Sequence, residues 1–261
     1  MVSIIIVEYH SREEVLTCVE ALQQHMHVSY EVFISSNSCY DDQTRKEIDN
    51  SDEHVHWIFN QRNGGFAYAM NEGLRQAKGD TLLIMNSDCL LNGDLGEMID
   101  FLHRHPEIGA IAPQMRDEKG NIQDTARPYV SLSRYLVRQM KRLFGHSESV
   151  LDKMDYNRIQ TVDWLIGAFL MVSREAYERT GGLDDNMFMY AEDLDWCTRI
   201  RQQGLEVVYY PRVEVIYKGT RRARLHWKYA RIFIRSHMIY WRKFGFFTGY
   251  PQRKEIFYSE D

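Results

Sequence analysis

Three carboxylates, Glu192, Asp193 and Asp195, fall within four positions of one another, and a fourth, Asp88, follows Asn86 and Ser87 at the end of a short apolar run. Acids in such settings support two chemistries. A carboxylate kept deprotonated near neutral pH by cations or a metal can take a proton as a general base. A hard divalent cation such as Mg²⁺ or Mn²⁺ needs only one or two protein carboxylates when the phosphate oxygens of a nucleotide complete its shell. Each arrangement also has a plain structural counterpart. Asn, Ser and Asp favour turns through side-chain hydrogen bonds to backbone, and acids in a first helical turn complement the helix dipole. Asp195 lies four residues before Arg199, the spacing of a helical ion pair, which makes it the most structural of the three.

The stretch Arg62-Asn63-Gly64-Gly65-Phe66 places two glycines ahead of a helical pattern. Glycines let a backbone approach a ligand closely, and a helix N-terminus favours anionic groups. The stretch matches neither a P-loop nor G-x-G-x-x-G, so a turn that simply admits the helix reads equally well. Trp164 and Gly167 open an apolar run over 163–173, where a tryptophan serves the core more often than a ligand wall.

Elements that could position these groups are legible. Runs at 3–7, 31–35, 55–59 and 81–85 read as strands. Val15, Val19 and Leu22, and then Phe66, Ala69, Met70, Leu74 and Ala77, recur at helical spacing, the second set closing at Lys78-Gly79 like a helix C-cap. The alternation predicts an α/β fold with a parallel sheet and helices on both faces. Ligands of such sheets sit beyond the carboxyl ends of the strands, which here are residues 8–11, 36–42, 60–65 and 86–88. Farther along, a hairpin is expected at 115–125, a helix through Leu132, Leu136, Met140 and Leu143, a polar stretch at 146–155, and a loop entering a helix over 187–204.

The chain of 261 residues is 44% hydrophobic and 26% charged, as expected of a folded protein with a substantial core. Its net charge of -5 conceals a polarity: from Tyr217 to Lys254 there are eleven Lys and Arg and no acid. That basic aromatic tail could pack on the body, lie on an anionic membrane, or bind nucleic acid. The change in composition sets a boundary between a domain over 1–216 and a helical extension over 217–261. Cys18, Cys39, Cys89 and Cys197 are too scattered for a disulfide framework or zinc knuckle, so a reducing, cytoplasmic setting is expected. No apolar run approaches the roughly 20 residues that span a bilayer, which leaves only peripheral membrane contact.

Taken in order, VSIIIVEYHS, SNSCYDD, NGGFAYAMNEG, LLIMNSDCLL, WLIGAFLMVSRE, FMYAEDLDWCTRIRQQG and the tail resemble the family 2 glycosyltransferases, particularly the bacterial rhamnosyltransferase-like branch. Each piece alone is weak; the order, covering most of the chain, is specific. The resemblance implies a GT-A fold, a nucleotide-sugar donor, a divalent cation (Mg²⁺ or Mn²⁺) and inversion at the anomeric carbon. By position it places Val7, Glu8 and Tyr9, with Ser36 or Asn37, at the donor base or ribose, and Asn63 and Gly65 in the nucleotide pocket. It places Asn86, with Ser87 beside it, near ribose or phosphate, Asp88 on the metal, and Asp193 as the base that deprotonates the acceptor, with Glu192 and Asp195 positioning acceptor or base. The chain departs from the family at Ser36, where Asp is frequent, at Asn86, and at Tyr217-Lys218, where relatives often carry His. Lys218, Arg221 and Arg222 are then candidate phosphate contacts.

The expected activity is transfer of a sugar, rhamnose among the candidates, from a dTDP- or UDP-sugar to a saccharide or polyprenyl-linked acceptor in polysaccharide biosynthesis at the inner face of the plasma membrane. No nucleic-acid partner is expected, and a homo-oligomer is left open. A sugar-nucleotide pyrophosphorylase would need a glycine- and Arg/Lys-rich triphosphate loop near the first strand, and VEYHSREE offers none. A carbohydrate-binding scaffold would show no cation-dependent nucleotide binding. A nucleic-acid binder would show steep salt dependence through the tail.

Overall fold

The computed structural model describes residues 1–48, 54–129, 131–143, 154–219, 227–246 and 253–259. Arg221, Arg222 and most of the polar stretch at 146–155 lie outside them. Strand β1 (Val2–Glu8) leads through α1 (Arg12–His25) to β2 (Tyr30–Ser36), then through α2 (Asp42–Ile48) to β3 (Val55–Phe59) and through α3 (Phe66–Leu74) to β4 (Thr81–Asn86). There follow β5 (Cys89–Leu91), α4 (Gly96–Arg104), β6 (Ile108–Arg116), β7 (Ala126–Arg127), α5 (Leu132–Leu143), β8 (Gln160–Thr161), β9 (Trp164–Leu165) and β10 (Phe169–Ser173). Helix α6 (Arg174–Thr180), helix α7 (Glu192–Gln202), the long strand β11 (Glu206–Tyr217) and helix α8 (Trp227–Phe244) complete the chain.

The main sheet runs β3-β2-β1-β4-β10-β6-β11-β5, with β8 added on β11. Its first four strands are parallel, as the alternation of apolar runs and helical patterns requires. Strand β10 enters antiparallel to both β4 and β6, so the sheet is mixed beyond β4. In β1 every residue from Val2 to Ile6 is buried, and such unbroken burial means that both faces of the strand are covered. Val15, Cys18, Val19 and Leu22 supply the buried stripe of α1. Gly73 lets α3 settle on β1, since a Cβ there would stand 2.5 Å from a methyl of Ile5.

One expectation changes. Helix α3 stops at Leu74 rather than Lys78, because the amides of Gln76 and Ala77 both turn back to the Gly73 carbonyl. Gly79 is therefore not a helix cap. It is needed where the chain passes against β1: its amide donates to Ser3 Oγ at 2.7 Å, and a Cβ would come within 2.6 Å of the Met1 carbonyl oxygen. The apolar run at 163–173 is two strands, β9 and β10, separated at 166–168. Helix α5 forms as expected, with Leu136 and Met140 of its apolar stripe exposed. At 115–125 the chain does reverse, through a turn in which Gly120 takes φ 81° and Arg116 bridges Ile122.

Because the Gly79 contact is with backbone, which cannot swing aside, Gly79→Val is expected to destabilise the fold by about 2 kcal/mol, read as a lowered urea midpoint with unchanged slope.

Candidate active site

Strand register levels the first group of residues. Glu8 pairs with Ser36, Ser36 with Phe59, and Val7 with Asn86, so the carboxyl ends of the four parallel strands form one ledge. Glu8 is fully buried, and its carboxylate accepts from Ser36 Oγ at 2.5 Å, Ser38 Oγ at 2.8 Å, the Ser11 amide at 2.9 Å and Tyr40 OH at 3.2 Å. Four donors are what keep a buried charge tolerable. Asn37 is likewise engaged: its Nδ2 donates to the Gly65 carbonyl at 3.0 Å and its Oδ1 accepts from Asn60 Nδ2 at 3.0 Å. Glu8, Ser36 and Asn37 thus hold the ledge together, whereas Tyr9 lies open at its rim, 51% exposed, and Val7 is half-buried.

The glycine loop is clamped from two sides. Gly65 adopts φ 94°, and a Cβ there would lie 2.2 Å from the carbonyl oxygen of Phe188, which also accepts from the Phe66 amide at 2.7 Å. Asn63 Oδ1 takes the Gly65 amide at 3.0 Å. Deeper in, Asn71 donates to the Leu183 carbonyl at 2.7 Å and accepts from the Leu183 amide at 2.9 Å. The loop over 183–191 is therefore built onto α3.

The break between β9 and β10 joins the two acidic motifs. Its Ala168 carbonyl accepts from the Asn86 amide at 2.9 Å and from Cys89 Sγ at 3.1 Å. The preceding residue, Gly167, donates its amide to Asp193 Oδ2 at 2.9 Å. One dipeptide thus touches the β4 end on one side and Asp193 on the other, and a Cβ on Gly167 would already stand 3.2 Å from that of Asp193. Asn86, Ser87 and Asp88 are half-buried, with the Asp88 carbonyl accepting from the Lys218 amide at 3.0 Å.

Tyr217 closes β11. It pairs in register with Cys89, and both Asn86 and Asp88 act on its phenol. Burial, and then the negative charge of Asp88, hold the phenol well above its ordinary pKa. The same charge helps burial raise the Cys18 thiol to about 12. The Asp88 carboxylate, the Asn86 amide oxygen and the Tyr217 hydroxyl are hard oxygen donors, and among the described residues no three His, Cys, Asp or Glu side chains converge. This donor set fits a hard divalent cation that draws most of its shell from phosphate oxygens. A thiolate and imidazole zinc cage is a different arrangement.

The other motif opens α7. Tyr190 and Ala191 take φ 71° and 65°, the left-handed region that costs a non-glycine residue about 1–3 kcal/mol and clusters at functional sites. The three acids that follow have three fates. Glu192 is buried, one carboxyl oxygen lacks a hydrogen-bond partner, and burial together with the charge of Asp193 pushes its pKa well above the usual carboxylate range. Burial also raises Asp193, while the Gly167 and Leu194 amides and the charge of Arg127 pull it back. Burial thus pushes both acids upward, and for Asp193 two neighbouring amides and a guanidinium act against it. Asp195 has no exposed surface and is gripped by Arg199 Nε and Lys243 Nζ, each at 2.6 Å. Its carboxylate is spent on the fold, so any positioning it does is through the seat of α7.

Arg127, which no sequence motif marks, lies on the two-residue β7 over the Trp164 ring at 5.4 Å, and its charge reaches both Asp193 and Tyr217. Trp164 is buried, with Nε1 donating to the Pro128 carbonyl at 3.0 Å. Lys218 is exposed, its Nζ 3.7 Å from Glu118.

A sheet parallel over its first four strands and mixed beyond them, with a helix between each pair of those strands, is the GT-A fold. The fold is shared with GalNAc-T7 solved with UDP, GalNAc and Mn²⁺, at TM-score 0.63 and 17% identity over 83% of this chain and 43% of that one. It is shared too with a mannosyltransferase of Pyrobaculum calidifontis solved with GDP-Man and Mn²⁺, at TM-score 0.57 and 18% identity over 85% of this chain and 57% of that one. Residues 1–235 match the family described as glycosyltransferase like family 2, and the chain belongs to it. Among its relatives, the N-acetylglucosaminyl-diphospho-decaprenol L-rhamnosyltransferase of Mycobacterium tuberculosis is 31% identical over 53% of this chain and 47% of its own length. The rhamnosyltransferase WbbL of Escherichia coli is 28% identical over 62% of this chain and 61% of its own. The chain thus spans about half to three-fifths of these relatives.

The raised pKa of Glu192 has a thermodynamic sign. Below the unfolded-state pKa both states hold the proton; as pH rises toward the folded-state value, the unfolded chain releases it first and stability falls. Glu192→Gln should therefore match the parent below a pH of about 4 and gain on it steadily toward neutrality in paired urea melts. A pH-independent difference would mean that Glu192 ionises normally.

Proposed function

We propose that this chain is an inverting, cation-dependent glycosyltransferase that moves a sugar, with rhamnose the first candidate, from a dTDP- or UDP-sugar to a saccharide or polyprenyl-linked acceptor. The rhamnosyl and lipid-linked parts of this reading draw on the activities of the two bacterial relatives, one of which acts on N-acetylglucosaminyl-diphospho-decaprenol. The observation that carries it is the Gly167-Ala168 dipeptide, whose backbone hydrogen-bonds Asn86 on one side and Asp193 on the other.

In this reading the donor lies along the ledge, its base against Val7 and Tyr9 and its ribose and phosphates between the Asn63-Gly65 loop and Asn86-Ser87. Asp88, with Asn86 and Tyr217 beside it, would hold a Mg²⁺ or Mn²⁺ ion, which supplies charge neutralisation for the departing diphosphate. A stabilised diphosphate needs no protonation by the protein, so one base is enough, unlike the paired carboxyls of glycoside hydrolysis. Asp193 is that base. The Gly167 and Leu194 amides hold its carboxylate ionised and fixed in direction, and burial raises its proton affinity toward that of a useful base. Glu192, neutral, adds no second charge to the acceptor pocket, and Asp195 anchors the helix beneath. Arg127 tempers the affinity of Asp193 for the proton.

Asp193→Asn should lower kcat by roughly 10²–10⁴-fold while calorimetry still records donor binding. Asp88→Ala should remove the Mn²⁺-dependent part of that binding. Near-normal turnover by Asp193→Asn would overturn the base assignment, and cation-independent binding of UDP and dTDP by the parent would overturn the site at Asp88. The kcat–pH profile should fall on its acid side above the ordinary carboxylate range, and Arg127→Met should move that limb upward, since removal of a nearby cation favours the protonated acid.

A further inference from the structure

Helices α5 and α8 lie side by side. The Leu132 amide donates to the Phe246 carbonyl at 2.9 Å, and the Tyr135 ring stands 6.0 Å from that of Phe233 and 5.9 Å from that of Trp241. Their outer surfaces break the usual rule for a protein in water. Leu136, Val137 and Met140, one stripe at helical spacing, are 53%, 56% and 54% exposed, and Ile234 and Trp227 on α8 are 53% and 77% exposed. Neither helix contains an Asp or Glu. Helix α5 carries Arg134, Arg138, Lys141 and Arg142 in its sequence, and α8 exposes Lys228, Arg231, Arg235 and Arg242.

We infer that this α5–α8 face docks on an anionic lipid bilayer, with Leu136, Val137, Met140 and Ile234 entering the acyl boundary and the exposed Lys228, Arg231 and Arg235 of α8 meeting acidic headgroups. The pairing of aliphatic tips with exposed cations on helices that contain no acid selects that occupant. A nucleic acid would satisfy the charges but give the aliphatic side chains nothing to enter, and a second copy of the same face would set like charges against each other. The location gives the surface a purpose. Helix α8 buttresses the loop before the proposed base, with Ser236 Oγ donating to the Met189 carbonyl at 2.8 Å, the Phe233 ring 5.8 Å from that of Tyr190, and Lys243 on Asp195. A bilayer met by this face lies beside the end of the cleft where Asp193 waits, the side from which a lipid-linked acceptor would arrive. That last step rests on the transferase reading; the docking surface itself does not.

The test is cosedimentation of the full chain with sucrose-loaded vesicles, either of phosphatidylcholine alone or with about a third phosphatidylglycerol. Binding is expected only to the anionic vesicles and should weaken in high salt. Leu136→Glu combined with Met140→Glu should reduce the bound fraction at least about tenfold, with an unchanged circular-dichroism spectrum and melting temperature. Conservative Leu136→Met should retain binding, which separates membrane insertion from a folding defect. The inference is overturned if the chain ignores anionic vesicles, if the double variant binds as well as the parent, or if the same face proves to hold RNA or a second copy, read by filter binding and by sedimentation equilibrium. Transfer to a water-soluble acceptor analogue, assayed alongside, should be the same in parent and double variant. Loss of that activity in the parent would count against the transferase reading and leave the vesicle result standing.

Discussion

The whole candidate site depends on one short interruption in an apolar run. At Gly167-Ala168 the chain is neither β9 nor β10, and its freed backbone groups reach sideways: a carbonyl to the end of β4, an amide to Asp193. Polar backbone groups in an interior must find partners, and here the partners are the two acidic motifs. Residues about a hundred positions apart thereby hydrogen-bond one dipeptide. The absence of a side chain at Gly167 is part of the device, because Asp193 occupies the space that a larger residue would fill.

Around that link, the protein sorts its buried acids by what surrounds each. Glu8 is surrounded by hydroxyls and an amide and serves as the knot of the ledge. Asp195 is held by two cations and joins α7 to α8. Glu192 is buried with one carboxyl oxygen unpartnered, and burial pushes its pKa well above the usual carboxylate range. Asp193 has burial, which raises its pKa, set against two amides and the charge of Arg127, which lower it. Chemical identity is nearly constant across these positions, so function follows from environment.

Helix α8 ties this chemistry to the outside. Its inner face supports Asp195 through Lys243 and the Tyr190 loop through Phe233, while its outer face is basic and apolar together with that of α5. Two left-handed residues, Tyr190 and Ala191, sit between this support and the acids, and the strain they carry is sustained by the packing of α8 and α3 around them. The extension thus touches the loop and helix that carry Asp193.

Much of this was legible in the residue order. Period-two and period-three-to-four apolar patterns are local properties, so β1 to β4, α1, α5 and α7 could be read from neighbours along the chain, as could the crowding of polar groups at the strand ends. The pairing of Asp195 with Arg199 was legible for the same reason, being four residues long. What only the tertiary structure decided was each contact made across the sequence: Lys243 on Asp195, Arg127 within reach of Asp193, Gly79 against β1, the split of 163–173, and the exposure of Leu136 and Met140. Spacing announces that a helix will have an apolar stripe, but not whether another element will cover it. In the same way sequence supplies a carboxylate, while its charge is settled by partners that only the folded chain brings near.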